Sequence, residues 1–239
     1  ARLPARCEFV RGMLAAEAAG AEGGPAAGDV GVAKALGGVG WHTSALLVLL
    51  WLLQATSYWG FTLFLPVFLT ECGVRADRTI FFMVLAELPG GVAAALLMDR
   101  CGRVLTLRAF LFLASAFALV TTVASAAPGR AAQDLLALGS VGVYAFLIPV
   151  WSVLFVLTPE LYPTRFRARA LGVFQTVQGI PGCAAPFLSA AVASQRPAWR
   201  YMALWSALLF ANGFVSLFLK PARRRVDVPV NLALAESGI

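Results

Sequence analysis

The sequence predicts an all-α membrane protein of six transmembrane helices, and three observations carry that prediction. Hydrophobic residues make up 60% of the 239-residue chain and charged residues only 13%, against about 25% charged in a soluble globular domain. Two long runs, Leu135 to Leu157 and Ala170 to Ser194, contain no charged residue. Between them lies TPELYPTRFRARALG, Thr158 to Gly172, a short stretch with Glu160 and three arginines. A polar turn flanked by apolar runs of this length is what a helical hairpin across a hydrocarbon core of about 30 Å requires, at roughly 1.5 Å of rise per residue. Pro159 and Pro163 are expected to end the helix before the turn, because proline lacks the N–H and disfavours helix in the residue before it.

The first expected span is Ser44 to Leu69, entered through Trp41 and His42, with His42 a headgroup-level residue. A loop with Glu71, Arg75, Asp77 and Arg78 leads to the second, Ile80 to Met98, which ends in the basic turn Asp99-Arg100-Cys101-Gly102-Arg103. The third is Leu111 to Ala127, apolar apart from serine and threonine; the fourth and fifth are the two uncharged runs, and the sixth is Met202 to Leu219. Residues 1–42 are rich in glycine and alanine and read as a linker at the internal boundary of a longer protein. Residues 43–220 form the bundle, and 221–239 a basic tail.

Basic residues assign the sides. The N-terminal run, the turn after the second span, the 158–172 stretch and the tail hold 14 lysines and arginines, and the opposite loops hold 5. Such a bias over short loops puts both termini in the cytoplasm, in a plasma or intracellular vesicle membrane. The net charge of +7 is spread over those loops with no basic face interleaved with aromatics, so nucleic acid is not an expected partner. Cys7, Cys72, Cys101 and Cys183 are far apart and make no disulfide framework. There is no phosphate-binding glycine loop, no metal-ligand spacing, and a single histidine, so neither an enzyme nor a cofactor or metal is expected.

Two sets of residues stand out. Asp99 and Glu160 lie in turns on the same side and can accept hydrogen bonds from arginines of the neighbouring turn, while Gly102 permits a tight reversal. Topology alone needs no acid beside those bases. Inside the spans, Glu87 is the one clear carboxylate, followed by Pro89, Gly90 and Gly91, which loosen the helix. Gln54, Tyr144, Trp151, Gln175 and Gln178 also fall at membrane depth. Interhelical bonding is the plainer reading of the three glutamines, and a buried structural acid is as good a reading of Glu87 as a transport role. Trp59 and Trp199 read as interface anchors.

The motifs D-R-x-G-R at Asp99–Arg103 and P-E-x-Y-P-T-x-x-R from Pro159, with Gly172 five positions beyond, resemble the C-terminal half of a major facilitator superfamily transporter. Within it the chain is most similar to the branch of organic-cation-transporter-like and synaptic-vesicle-protein-like members, with sugar porters next. The resemblance covers about residues 41 to 220. It implies that the six spans are the seventh to twelfth of twelve, paired with an N-terminal six-helix half outside this sequence. It further implies that the first, second, fourth and fifth line a central cavity and that the third and sixth face lipid. Asp99, Arg100, Gly102, Arg103, Glu160 and Arg167 match the positions of a cytoplasmic charge network that latches one conformational state. The family pattern is broken at Ala95, at Val104, and after the last helix, where Lys220-Pro221-Ala222-Arg223 stands in place of P-E-T-K-G. The implied function is alternating-access transport of a small organic solute, an organic ion or sugar-like molecule. The alternative is a membrane receptor or scaffold that keeps the fold.

Overall fold

The structure is a computed structural model and describes residues 40–162, 167–193 and 199–219. Those residues form six α-helices: α1 Trp41–Glu71, α2 Ala76–Cys101, α3 Arg103–Ala126, α4 Arg130–Leu161, α5 Arg167–Ala193 and α6 Trp199–Ser216. Residues 1–39 of the expected linker and the tail from 220 lie outside the described residues. By length and composition α1 to α4 can each cross a membrane. Helix α5 carries two arginines in its first turn and two glutamines, and α6 has 18 residues with Asn212 among them, so both are less apolar, though they pack into the same bundle.

The helices outrun the apolar runs, because the polar ends of a transmembrane helix continue into the headgroup layer. Helix α3 starts at Arg103 rather than Leu111, and α4 extends from Arg130 to Leu161. Pro159 does not end α4, contrary to expectation. The helix passes through it as it passes through Pro149, since neighbouring helices can re-satisfy the backbone carbonyl that a proline frees. Pro163 lies outside the described residues.

Packing has an internal symmetry. Helix α4 packs on α2 and α3, α1 on α5 and α6, and α3 on α6. Exchanging α1–α3 with α4–α6 maps α1·α5 onto α4·α2 and α1·α6 onto α4·α3, and leaves α3·α6 unchanged, as two inverted three-helix repeats require. Helix α3, expected to face lipid, is exposed on one side only: Leu105, Leu113, Leu119 and Val123 are exposed, while Leu107, Phe110, Leu111 and Ala118 are buried against α4 and α6. Helix α2 is the least covered and exposes Phe81, Phe82, Val84, Leu88 and Val92.

Close helix approach depends on glycine. A Cβ at Gly90 would run into the carbonyl oxygen of Ala145 on α4, and one at Gly139 would lie 2.7 Å from Thr121 Cγ2 on α3. Gly91, one residue along, faces open space. Gly90→Ala should therefore destabilise the bundle by about 1–3 kcal/mol through overpacking, whereas Gly91→Ala should be neutral or stabilising by up to about 1 kcal/mol. Melting of the two variants in one detergent checks this; equal midpoints would contradict the α2–α4 packing.

Candidate functional site: an aromatic face and a charged turn

Helices α1 and α4 run antiparallel and are tied by side-chain hydrogen bonds. Ser44 Oγ and Tyr162 OH are 2.7 Å apart, and Trp51 Nε1 donates to Thr158 Oγ1 at 3.0 Å. Gln54 Nε2 donates to the Leu147 carbonyl at 3.1 Å, and Tyr144 OH to Thr62 Oγ1 at 2.9 Å. Gln54 is fully buried and its Oε1 accepts from Asn212 Nδ2 of α6 at 2.9 Å, so one side chain joins three helices. It is hydrogen-bonded across helices, and Tyr144 likewise bonds across the seam. Gln175 and Gln178 do otherwise: Gln178 donates to Gln175 one turn away on the same helix, and both stay half-exposed. No helix opposite them presents a polar partner among the described residues.

Four rings gather on the open side of this seam. Trp151 packs edge-on to Tyr58 at 6.0 Å and to Trp51 at 5.6 Å, and Phe155 lies 5.2 Å from Trp51. Trp59 sits 5.2 Å from Tyr58. Tyr58 and Trp151 are half-buried, and Trp59 and Phe155 are each 37% exposed. Trp59 is thus not an interface anchor. It lies about 18 Å inside the Glu71 end of α1, against α5, where a Cβ on Gly182 would come within 3.2 Å of its Nε1. Trp199, at the start of α6, has the terminal position an anchor needs. Half-buried Glu87 faces this region from α2, close enough to act electrostatically on Tyr58 and Tyr144. Helix α2 packs on α4 and α5 on α1, and among the described residues α2 and α5 share no packed interface, so the rings are left half-covered in the gap, or trough, between them.

At one end of the bundle the two charged turns meet. Arg103 Nη2 lies 2.9 Å from Glu160 Oε1 and its Nε donates to the same oxygen at 3.2 Å, joining the start of α3 to the end of α4. Arg103 Nη1 also reaches back to the Met98 carbonyl of α2 at 3.5 Å. Gly102 closes α2 and opens α3 at φ 89°, a left-handed conformation that glycine adopts without strain, and nothing else crowds it. Arg167 Nε donates to the Tyr162 carbonyl at 3.2 Å across the turn. Asp99 and Arg100 do not join them; both are exposed on the last turn of α2 and make no hydrogen bond or ion pair among the described residues. Arg108, read from sequence only as topological charge, caps α6: it donates to the carbonyls of Ser216, Leu217 and Leu219 at 3.2, 3.1 and 2.7 Å. A cation there offsets the partial negative charge of the helix C-terminus.

Trp51, Tyr58, Phe155, Thr158 and Asn212 were not singled out from sequence. Polar Thr158 at the end of one apolar run and Asn212 inside another are the signal that could have found two of them. A cavity of about 700 Å³ lies elsewhere, between the Arg75 end of α2 and the start of α4, and none of the expected substrate residues lines it.

The comparisons agree with this architecture. The family profile described as Major Facilitator Superfamily matches residues 15–186. Similar proteins include the niacin transporter NiaP of Acinetobacter baylyi, 32% identical over 61% of this chain and 32% of its own length. The putative niacin/nicotinamide transporter NiaP of Bacillus subtilis is 31% identical over 64% of this chain and 37% of its own. A probable plastidic glucose transporter of Arabidopsis thaliana is 33% identical over 54% and 26%. The chain thus spans about a third of the length of these relatives, and the mixture of vitamin and sugar names fixes the superfamily without choosing a branch.

The Arg103–Glu160 pair is partly exposed, with side chains 33% and 44% accessible, so a double-mutant cycle should give a coupling of about 0.2–1 kcal/mol. Exchanging the charges, Arg103→Glu with Glu160→Arg, should recover most of what either reversal loses in melting temperature. Failure of the exchange to outperform both single reversals would contradict the pairing. With inverted helical repeats, a charge-paired turn and a family profile over most of its length, this all-α, multi-pass membrane protein belongs to the Major Facilitator Superfamily.

Proposed function

We propose that the chain is the C-terminal six-helix half of an alternating-access secondary transporter for a small organic solute, partnered by an N-terminal six-helix half. The observation that carries the reading is the trough: one carboxylate, Glu87, faces half-buried aromatic rings on a side of the bundle that no described element covers. An ionisable group at membrane depth characteristically faces a cavity or a bundle interior, and transporters of inverted-repeat build bind near the midplane between repeats. The names of the similar proteins, for niacin, nicotinamide and glucose, support a small polar solute.

Among these the floor of Tyr58, Trp59, Trp151 and Phe155 suits a flat ring best, because stacked or edge-on aromatic pairs contribute about 0.5–1.5 kcal/mol beyond buried area. Glu87 then serves either a cationic group on the solute or a coupling proton. An anionic solute would be repelled by an ionised carboxylate, so for such a solute the proton is the reading to adopt. Both charged turns, and with them both chain termini, are assigned to the cytoplasm by the arginine and lysine bias. The Arg103–Glu160 pair joins α3 and α4 on that side, and in this reading it latches one state while the trough holds solute.

Glu87→Gln in the full-length protein tests the reading. It is expected to cut uptake of a flat-ring solute at least tenfold and to flatten its pH dependence, with Trp151→Ala raising the half-saturating concentration and leaving the pH dependence in place. Unchanged uptake and pH profile for Glu87→Gln would remove the carboxylate from the mechanism.

A further inference from the structure

The 700 Å³ cleft between α2 and α4 has no part in the site above. Its α2 wall includes Phe82 and Leu85, and Glu87 lies roughly 140° round the helix from Phe82. The cleft therefore opens away from the trough. Its lip carries Arg75 and Arg78, both exposed and in no ion pair among the described residues. Asp134 shares the lining but pairs with neither, so the lip keeps a net positive charge. Below it the walls are apolar: Phe82 and Leu85 on α2 face Leu138 and Val141 on α4. Phe82, Leu85 and Leu138 are 53%, 49% and 62% exposed.

Depth decides what fits. Helix α2 has 26 residues and so is about 39 Å long, while the hydrocarbon core is about 30 Å and the bilayer with its headgroups about 40–45 Å. With Asp99 and Arg100 at one polar boundary, Arg75 and Arg78 fall in the headgroup layer of the opposite leaflet, and the apolar walls lie beneath them among acyl chains. Two unpaired guanidiniums above an apolar slot complement a phosphate above a hydrocarbon tail, and guanidinium forks suit phosphate oxygens.

We infer that this cleft is a binding site for an anionic phospholipid, its phosphate held by Arg75 and Arg78 and one acyl chain lying between Phe82 and Leu85 of α2 and Leu138 and Val141 of α4. The inference rests on α2 spanning the membrane and not on the transport reading.

The test uses the full chain reconstituted with an equal mixture of phosphatidylglycerol and phosphatidylcholine, then stripped and examined by native mass spectrometry. Wild type should retain phosphatidylglycerol in preference. The double variant R75Q/R78Q should retain roughly tenfold less. Leu138→Trp, which fills the slot and keeps both arginines, should also release lipid, and excess inorganic phosphate should not. Equal retention of the two lipids, or a double variant that retains as much as wild type, overturns the proposal. Retention unaffected by Leu138→Trp would mean headgroup attraction without a chain site, and displacement by inorganic phosphate would mean a free-anion site; either overturns it as well. Circular dichroism of both variants, matching wild type, excludes misfolding as the cause of any loss.

Discussion

Lipid offers no hydrogen bond, and the α1–α4 seam is built around that constraint. A polar side chain at membrane depth must find its partner on another helix or on its own backbone. Trp51 finds Thr158, Tyr144 finds Thr62, and Gln54 finds both the Leu147 carbonyl and Asn212. Each such bond is worth only about 0.6 kcal/mol on average. Their main contribution is register, because each has a unique partner at a set height along two antiparallel helices. With α1 and α4 in register, α5 and α6 are placed through α1, and α2 and α3 through α4.

That register also produces the asymmetry of the bundle. Trp51 is buried under Trp151, Phe155 and Phe174, so the neighbouring rings on α1 and α4 are left half-covered and pointed at the same side. Small residues allow the flanking helices to close in without filling the space between them: Gly90 lets α2 touch the α4 backbone, and Gly182 leaves room for Trp59 beside α5. The charged turns sit at the ends of α2, α3 and α4, where a change in their packing would be felt by Arg103 and Glu160.

Much of this was legible in the sequence, for a physical reason. Hydropathy and arginine placement report directly on the solvent around a segment, so six helices and two charged turns could be read without coordinates. Gly102 and the Arg103–Glu160 encounter were readable because the acid and base types are needed at those spacings. Partner choice was not readable. Nothing local says that Gln54 bridges to Asn212 while Gln175 and Gln178 bond to each other, since that depends on which helix lies opposite. Trp59 looked like an anchor because tryptophan favours interfaces, yet α1 is 31 residues long and carries it well inside. Pro159 looked like a stop because proline breaks helices in water, a rule that packing in a membrane relaxes. Asp99 belongs to the motif but makes no ion pair among the described residues, being exposed on the last turn of α2.

The seam, the ring face and the charge pair all require that these helices cross a bilayer with the Arg103 and Glu160 turns gathered on one side. Two native cysteines lie at opposite ends of α2: exposed Cys101 beside those turns, and half-buried Cys72 at the far end. Burial and the neighbouring Glu71 push the Cys72 thiol above its usual range, so it should label more slowly at neutral pH and faster as the pH rises. The direct measurement is labelling of sealed, oriented vesicles with a membrane-impermeant maleimide. The expected result is that external reagent reaches one of these cysteines and the other reacts only after permeabilisation; reaction of both from the same side would contradict a bilayer-crossing α2.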